Sequence, residues 1–392
     1  MKVKSKEHFW DKELTRVALA VLCTRVAVLL LSYIFYLMKE PQGSLELFGA
    51  WLKQAGDVPH YLRIAENGYS VGDEFENLIV FYPLFPMLIR TLRCVLRDSF
   101  ISGLVISNVC SVIGTCYFYK LVRLDYPKSV ARDTVTFFLL YPFSFFMSFC
   151  YTESLFLMLC LMCVYYARRS GWVACGITGF LAALCRTQGV VMFGVAAYEY
   201  VFQAREQILP DRGQTPWRVK LKLFFQKLSP RGLCLLLIPA GYGLYLGLNK
   251  YLFGDWFRFL EFQKAAPWYQ EAGFFVENLQ QQMNMAVNNP GLAYIIYIPQ
   301  ILVFLVAFLL VFVGVKYKVR TSYLLHIAAY TMASYMSTWL ISGGRYMLSC
   351  FMMFIPMGLL ARNKIWRIVL LALSGGLYFM MFYLYIKGYA IM

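Results

Sequence analysis

The sequence predicts an all-α polytopic membrane protein, one domain over 1–392, with about eleven transmembrane helices and one amphipathic helix in the interface. Three observations predict it. Of 392 residues, 60% are hydrophobic and 15% charged, where a soluble domain averages about half and about a quarter. The apolar residues gather in runs such as 17–38, 233–253, 292–315 and 368–386, long enough as helix to cross about 30 Å of hydrocarbon. The basic residues alternate between the connecting segments, one set holding about twice as many as the other, as expected for cytoplasmic against outer loops. The formal charge of +16 is therefore read as topology and does not call for nucleic acid.

Taken in order, the spans are expected at 17–38, 100–119, 134–150, 154–167, 171–185, 189–202, 232–253, 292–315, 321–341, 346–361 and 367–386. A basic tail, 1–16, and the loop 203–231 fall in the cytoplasm. The basic start followed by a long apolar run without a small-residue cleavage site reads as a retained first span. The first outer loop is 39–99 and a second is 254–291. Within the first, 81–96 carries Arg90, Arg93 and Arg97 on one helical face. Laid flat as an interfacial helix, it keeps the basic segment 120–132 inside.

That topology sends the polar candidates to one outer side. Asp57 and His60 stand three apart in the first outer loop, with Pro59 between them and Gly68 beyond. This pattern suits a helix start and stop, so Asp57 reads equally as a helix cap or as a chemical group. Glu153 stands at the start of one span and Arg186 in a break between two. Arg345 follows Gly343 and Gly344. A single arginine would be read as reaching for the interface; two beside a carboxylate and a histidine suit a phosphate, which guanidinium grips bidentately. The aromatic run Phe253, Trp256, Phe257, Phe259, Phe262 and Trp268 either lines the interface, stacks on a sugar or cradles a prenyl chain. Eleven cysteines, with Cys160 and Cys163 in a lone CxxC, read as small buried hydrophobes. No nucleotide loop and no metal-ligand cluster is evident.

Several motifs recur in a familiar order: Asp57-x-x-His60-Tyr61 with Gly68-Tyr69, Phe81-x-Pro83-Leu84-Phe85-Pro86, Tyr151-x-Glu153-Ser154, Arg186-x-Gln188-Gly189, Phe253-Gly254-Asp255 with Gln263 and Trp268, and Arg345-Tyr346. From about 50 to 350 the chain resembles the PIG-V family, the second mannosyltransferase of glycosylphosphatidylinositol synthesis, and its bacterial relatives. Members commonly carry Trp immediately before the aspartate; this chain has Gly56. The resemblance implies a GT-C-like helical bundle that uses a polyprenyl-phosphate or dolichyl-phosphate mannose donor at an outer-side site. It implies Asp57 and His60 as catalytic residues and Arg186 and Arg345 as ligands of the donor phosphate. Glu153, Tyr61, Gln188, Gln263, Trp268 and Tyr346 would contact substrate.

The expected reaction is inverting transfer of mannose or a related hexose to a lipid-linked or glycan acceptor, with Asp57 as general base and no metal or nucleotide. The expected partners are that donor and acceptor, membrane lipids and a small membrane partner subunit. The expected membrane is a bacterial plasma membrane, or the endoplasmic reticulum of a eukaryote. A lipid-linked-sugar flippase is the rival reading; it needs polar groups through the membrane depth, and apart from Arg25 the spans offer few.

Overall fold

The computed structural model describes residues 11–206, 229–338 and 342–389. The start of the expected cytoplasmic tail, most of the loop 203–231 and the end of the span 321–341 lie outside the described residues. Among those residues the chain is helical, and its one β pairing is an isolated antiparallel bridge between Ala272 and Ser337.

The first helix, α1 (Lys12–Lys39), starts where the Asp11 carboxylate accepts the Leu14 N–H at 2.8 Å. Its only charge at span depth, Arg25, is buried and donates to the Ser144 carbonyl at 2.8 Å. An arginine on this helix is affordable only when it faces protein, as here. The first outer segment folds into α2 (Leu45–Lys53), α3 (Val58–Asn67) and α4 (Leu84–Leu96). Thirteen residues make α4 about 20 Å long, short of the hydrocarbon thickness. Phe85, Pro86 and Ile89 pack inward, while Arg90, Arg93 and Arg97 are exposed.

Next come α5 (Ser99–Arg123), α6 (Lys128–Leu139), α7 (Glu153–Arg168), α8 (Trp172–Cys185) and α9 (Val191–Glu206). The second half holds α10 (Leu237–Phe253), α11 (Arg258–Lys264), α12 (Phe275–Asn288), α13 (Ile298–Lys316), α14 (Thr321–Tyr335), α15 (Phe354–Leu360) and α16 (Lys364–Ile386). Among the described residues five helices are long and apolar enough to cross a membrane: α1, α5, Pro230–Phe253, Pro290–Lys316 and α16. Gly343–Ser349 and Phe351–Leu360 pass the same measure only as a pair, bent by 76°, which is either a broken span or a re-entrant loop. The chain is thus a multi-pass membrane protein. The expected spans at 154–167, 171–185 and 189–202 fall on the helices α7, α8 and α9, of 16, 14 and 16 residues, which are shorter than those five.

Two expected spans are not continuous helices. Over 134–150, α6 stops at Leu139 and the chain resumes as a 3₁₀ turn at Ser144–Ser148. Pro142 accounts for the break, since the residue before a proline is pushed out of the α region. Over 346–361 the backbone runs through two 3₁₀ turns, Met347–Ser349 and Phe351–Met353, before α15. Irregular backbone at such depth is tolerable when protein surrounds it, and Phe145, Met147, Leu348 and Phe351 are all fully buried.

The bundle centre is α5 against α7, α7 against α8, and α8 against α10. One end is tied by ion pairs. Arg168 meets both oxygens of Asp125 at 2.6 and 2.8 Å, and Arg320 meets both of Glu199 at 2.6 and 2.8 Å. The first pair ties the end of α7 to the segment after α5 and the second ties the start of α14 to the middle of α9, leaving the opposite helix ends to form a second polar centre.

Candidate active site

That second centre surrounds a cavity of about 760 Å³, within the range of small-molecule sites, roughly 300–1,000 Å³. Asp57, His60, Tyr61, Arg186, Gln188, Gln263, Trp268, Arg345 and Tyr346 all line it. They come from the start of α3, the end of α8, the strap after α11 and the turn at Gly343–Tyr346, so residues nearly 290 positions apart meet.

Asp57 sits at the N-cap position of α3, yet its side chain makes no capping hydrogen bond. Pro59 in the first turn removes one N–H that would need a cap, and Gly68, at φ 86°, ends the helix. The carboxylate turns instead to Arg345, whose Nη2 donates to Oδ2 at 2.7 Å. Gly56 explains this placement. It lies at φ +52°, and a Cβ there would sit 2.6 Å from the Tyr151 hydroxyl oxygen, which in turn donates to the Ala55 carbonyl at 3.1 Å. A tryptophan there would have to adopt a left-handed backbone and displace the Tyr151 hydroxyl. Gly56→Ala is expected to cost about 1–2 kcal/mol for the left-handed backbone alone, more with the contact, and to lower the detergent-solubilised melting temperature. An unchanged melting temperature would contradict the strain.

Glu153 opens α7 and is fully buried behind the arginines, outside the cavity lining. Its Oε1 lies 3.0 Å from Arg345 Nε and 3.3 Å from Arg186 Nη1. Neither contact is aligned as a hydrogen bond, so Arg345 Nε and Nη1 and Arg186 Nη1 have no hydrogen-bond acceptor among the described residues. The four charges Asp57, Glu153, Arg186 and Arg345 balance, while the guanidinium donors stay largely unspent. Arg186 also lies over the Tyr346 ring, 5.0 Å from its centroid. Such a pair of cations, neutralised from behind and unsaturated toward a cavity, is suited to receive an anion.

The facing side is aromatic. His60 stacks on Phe81 at 5.0 Å, and Trp268 meets both, edge on, at 5.4 and 5.3 Å. Tyr61 packs against Phe81 at 5.2 Å. Trp268 is carried on a strap closed by the Gln270 N–H on the Gln263 carbonyl at 2.7 Å. The strap is held to the end of α14 by the Thr338 N–H on the Glu271 carbonyl at 2.8 Å. The aromatic loop therefore divides: Trp256 and Phe257 are about half exposed, Phe259 is buried in the core, and Trp268 enters the cavity.

Burial lowers the His60 pKa from its ordinary 6.5, with Asp57 pulling the other way, so the imidazole is neutral at pH 7. A folded value below the unfolded one means that stability is present above pH 6.5 and lost as pH falls. His60→Gln is expected to reduce that acid sensitivity, measured as melting temperature between pH 7.5 and 5; an identical pH slope in the variant would refute it.

Sequence reasoning did not single out Thr152, Thr187, Gln270 or Ser334, which also line the cavity. Thr187 Oγ1 lies 2.7 Å from the Tyr82 hydroxyl, while the Thr152 and Ser334 hydroxyls are buried without a partner among the described residues. Single hydroxyls at span ends are too common to be a signal. Among the described residues no group of three His, Cys, Asp or Glu side chains could hold a metal.

No curated protein matches the chain. The family model described as Mannosyltransferase (PIG-V) matches residues 42–246, just over half of the 392. The match takes in Asp57, His60, Glu153, Arg186 and Gln188; Gln263, Trp268, Arg345 and Tyr346 lie beyond it and join the same cavity. A multi-pass helical chain with this match belongs to the PIG-V family of mannosyltransferases, which makes it a membrane glycosyltransferase.

Proposed function

We propose that this enzyme transfers mannose, or a related hexose, from a polyprenyl-phosphate sugar to a lipid-linked or glycan acceptor at the extracytoplasmic face. The acceptor hydroxyl attacks the sugar C1 with inversion, and its proton passes to Asp57. The bond from C1 to the phosphate oxygen breaks, and the polyprenyl phosphate leaves with the electron pair. Such a donor is already activated, so the proposed transfer calls for neither nucleotide nor metal. Arg345 and Arg186 receive the phosphate, whose charge grows as the bond breaks. Neutral His60 orients the acceptor beside Asp57, and Tyr61, Gln188, Gln263, Trp268 and Tyr346 border the sugars.

The observation that carries this reading is the Asp57 carboxylate itself. It stands at a helix start without capping it and faces the cavity beside two arginines with unspent donors. Anomeric analysis of the product by NMR tests the chemistry. The reading requires a product configuration opposite to that of the donor; retention would demand a covalent sugar intermediate and would sink Asp57 as a simple base.

A further inference from the structure

Arg345 is the hinge of the site, because it touches Asp57 and lies against Glu153. It rides on a helix of only four residues, Gly343–Tyr346. So short a segment cannot fix a side chain by its own hydrogen bonds; something outside it must. The backbone of Gly344, the residue immediately before Arg345, is gripped on both polar atoms. Its N–H donates to the side-chain Oε1 of Gln300, on α13, and its carbonyl accepts from the Tyr141 hydroxyl at 2.7 Å. The third side is closed by Phe143, whose ring would lie 2.4 Å from any Cβ at position 344.

The grip continues inward. The Gln300 carbonyl accepts from the Tyr335 hydroxyl on α14, and the Tyr335 carbonyl accepts from Asn278 Nδ2 on α12 at 2.9 Å. Asn278, Tyr335, Gln300 and Tyr141 are all buried, Gln300 at 2% exposure. An amide in the centre of an apolar wall costs free energy unless its polar atoms are paired. Gln300 is also the only amide in the run 292–315. A leucine would serve packing as well, so the amide has a use that packing does not supply.

We propose that Gln300, with Tyr141, is a positioning residue for transfer, holding the Gly344 peptide so that the Arg345 guanidinium meets both Asp57 and the donor phosphate. This rests on the role of Arg345 in the proposed reaction. A displacement of about 1 Å at a catalytic group is worth about 100-fold in rate. Gln300→Leu is therefore expected to lower kcat/KM for transfer by about 10–100-fold while the protein still folds. Tyr141→Phe acts in the same direction with a smaller loss. Gln300→Glu, which keeps an oxygen in place to accept the Gly344 N–H, restores most of the activity.

The experiment measures transfer from labelled polyprenyl-phosphate mannose by Gln300→Leu in two backgrounds, wild type and Arg345→Lys, with melting temperature as the folding control. If Gln300 acts through Arg345, its substitution loses nearly all effect once the guanidinium is gone, to within about twofold. An equal loss in both backgrounds overturns the proposal, as does a well-folded Gln300→Leu enzyme with wild-type kinetics. Failure of the wild type itself to transfer sugar would defeat the reaction reading, and the positioning role with it. That outcome is distinct, because it appears before any variant is made.

Discussion

Asp57→Asn is expected to lower sugar transfer by about 10²–10⁴-fold, the usual contribution of a positioned general base, in protein that still folds. The asparagine is nearly isosteric and keeps an oxygen toward Arg345 Nη2, so the α3 start should survive. The substitution costs no helix cap, because the aspartate side chain makes no capping bond. What it removes is the proton acceptor. The single ion pair to Arg345 is also lost, which leaves Glu153 alone against two buried arginines and is expected to lower the melting temperature. Transfer assays on folded protein, with the melting temperature measured alongside, check this directly. A folded Asp57→Asn enzyme within a few-fold of wild type (against the lower bound of ~10²-fold) would remove Asp57 from the base role.

Arg345→Met is expected to have the other large effect, on both activity and folding. The Arg345 side chain is nearly fully buried, and Asp57 and Glu153 both lie against it. Removing one partner of a buried ion pair leaves an uncompensated charge and typically costs about 3–5 kcal/mol. Glu153, fully buried, keeps only the looser contact to Arg186 at 3.3 Å, so the expected loss is at the upper end. Transfer falls at least about 100-fold, since a donor aimed at developing charge is typically worth that much. Arg345→Lys separates the two effects: it retains a cation for Asp57 and Glu153 and so most of the stability. It loses the fork that touches both carboxylates while presenting a further N–H to the cavity. Stability recovering with lysine while transfer stays low is the predicted pattern; transfer recovering fully would show that charge alone suffices.

Local signals in the sequence carried far. Asp57, Pro59 and Gly68 mark the ends of α3, where the structure has them, because caps and breakers act within a few residues. The apolar runs at 17–38, 232–253, 292–315 and 367–386 correspond to long helices for the same reason. Pro142 was equally local, yet the apolar run around it hides the break between α6 and the turn at Ser144–Ser148. The partnership of Asp57 with Arg345, and of Glu153 with both arginines, is tertiary. Spacing contains no trace of it; only the order of the motifs pointed there. Glu153 illustrates the limit. Its position at a span end marked it as polar and costly, but whether it faces substrate or stands behind the arginines depends on how α7 packs. Sequence reasoning did not single out Gln300, a lone amide in an apolar run, because its purpose needs the Gly344 backbone to be in place.

The most direct test of Asp57-dependent transfer uses wild-type protein and folded Asp57→Asn in proteoliposomes, with labelled polyprenyl-phosphate mannose and a total lipid extract. The account predicts a new labelled glycolipid made by the wild type and absent, or at least about 100-fold slower to form, with Asp57→Asn. Movement of the labelled donor across the bilayer with no product from either protein would contradict it, and would make the chain a carrier of lipid-linked sugar.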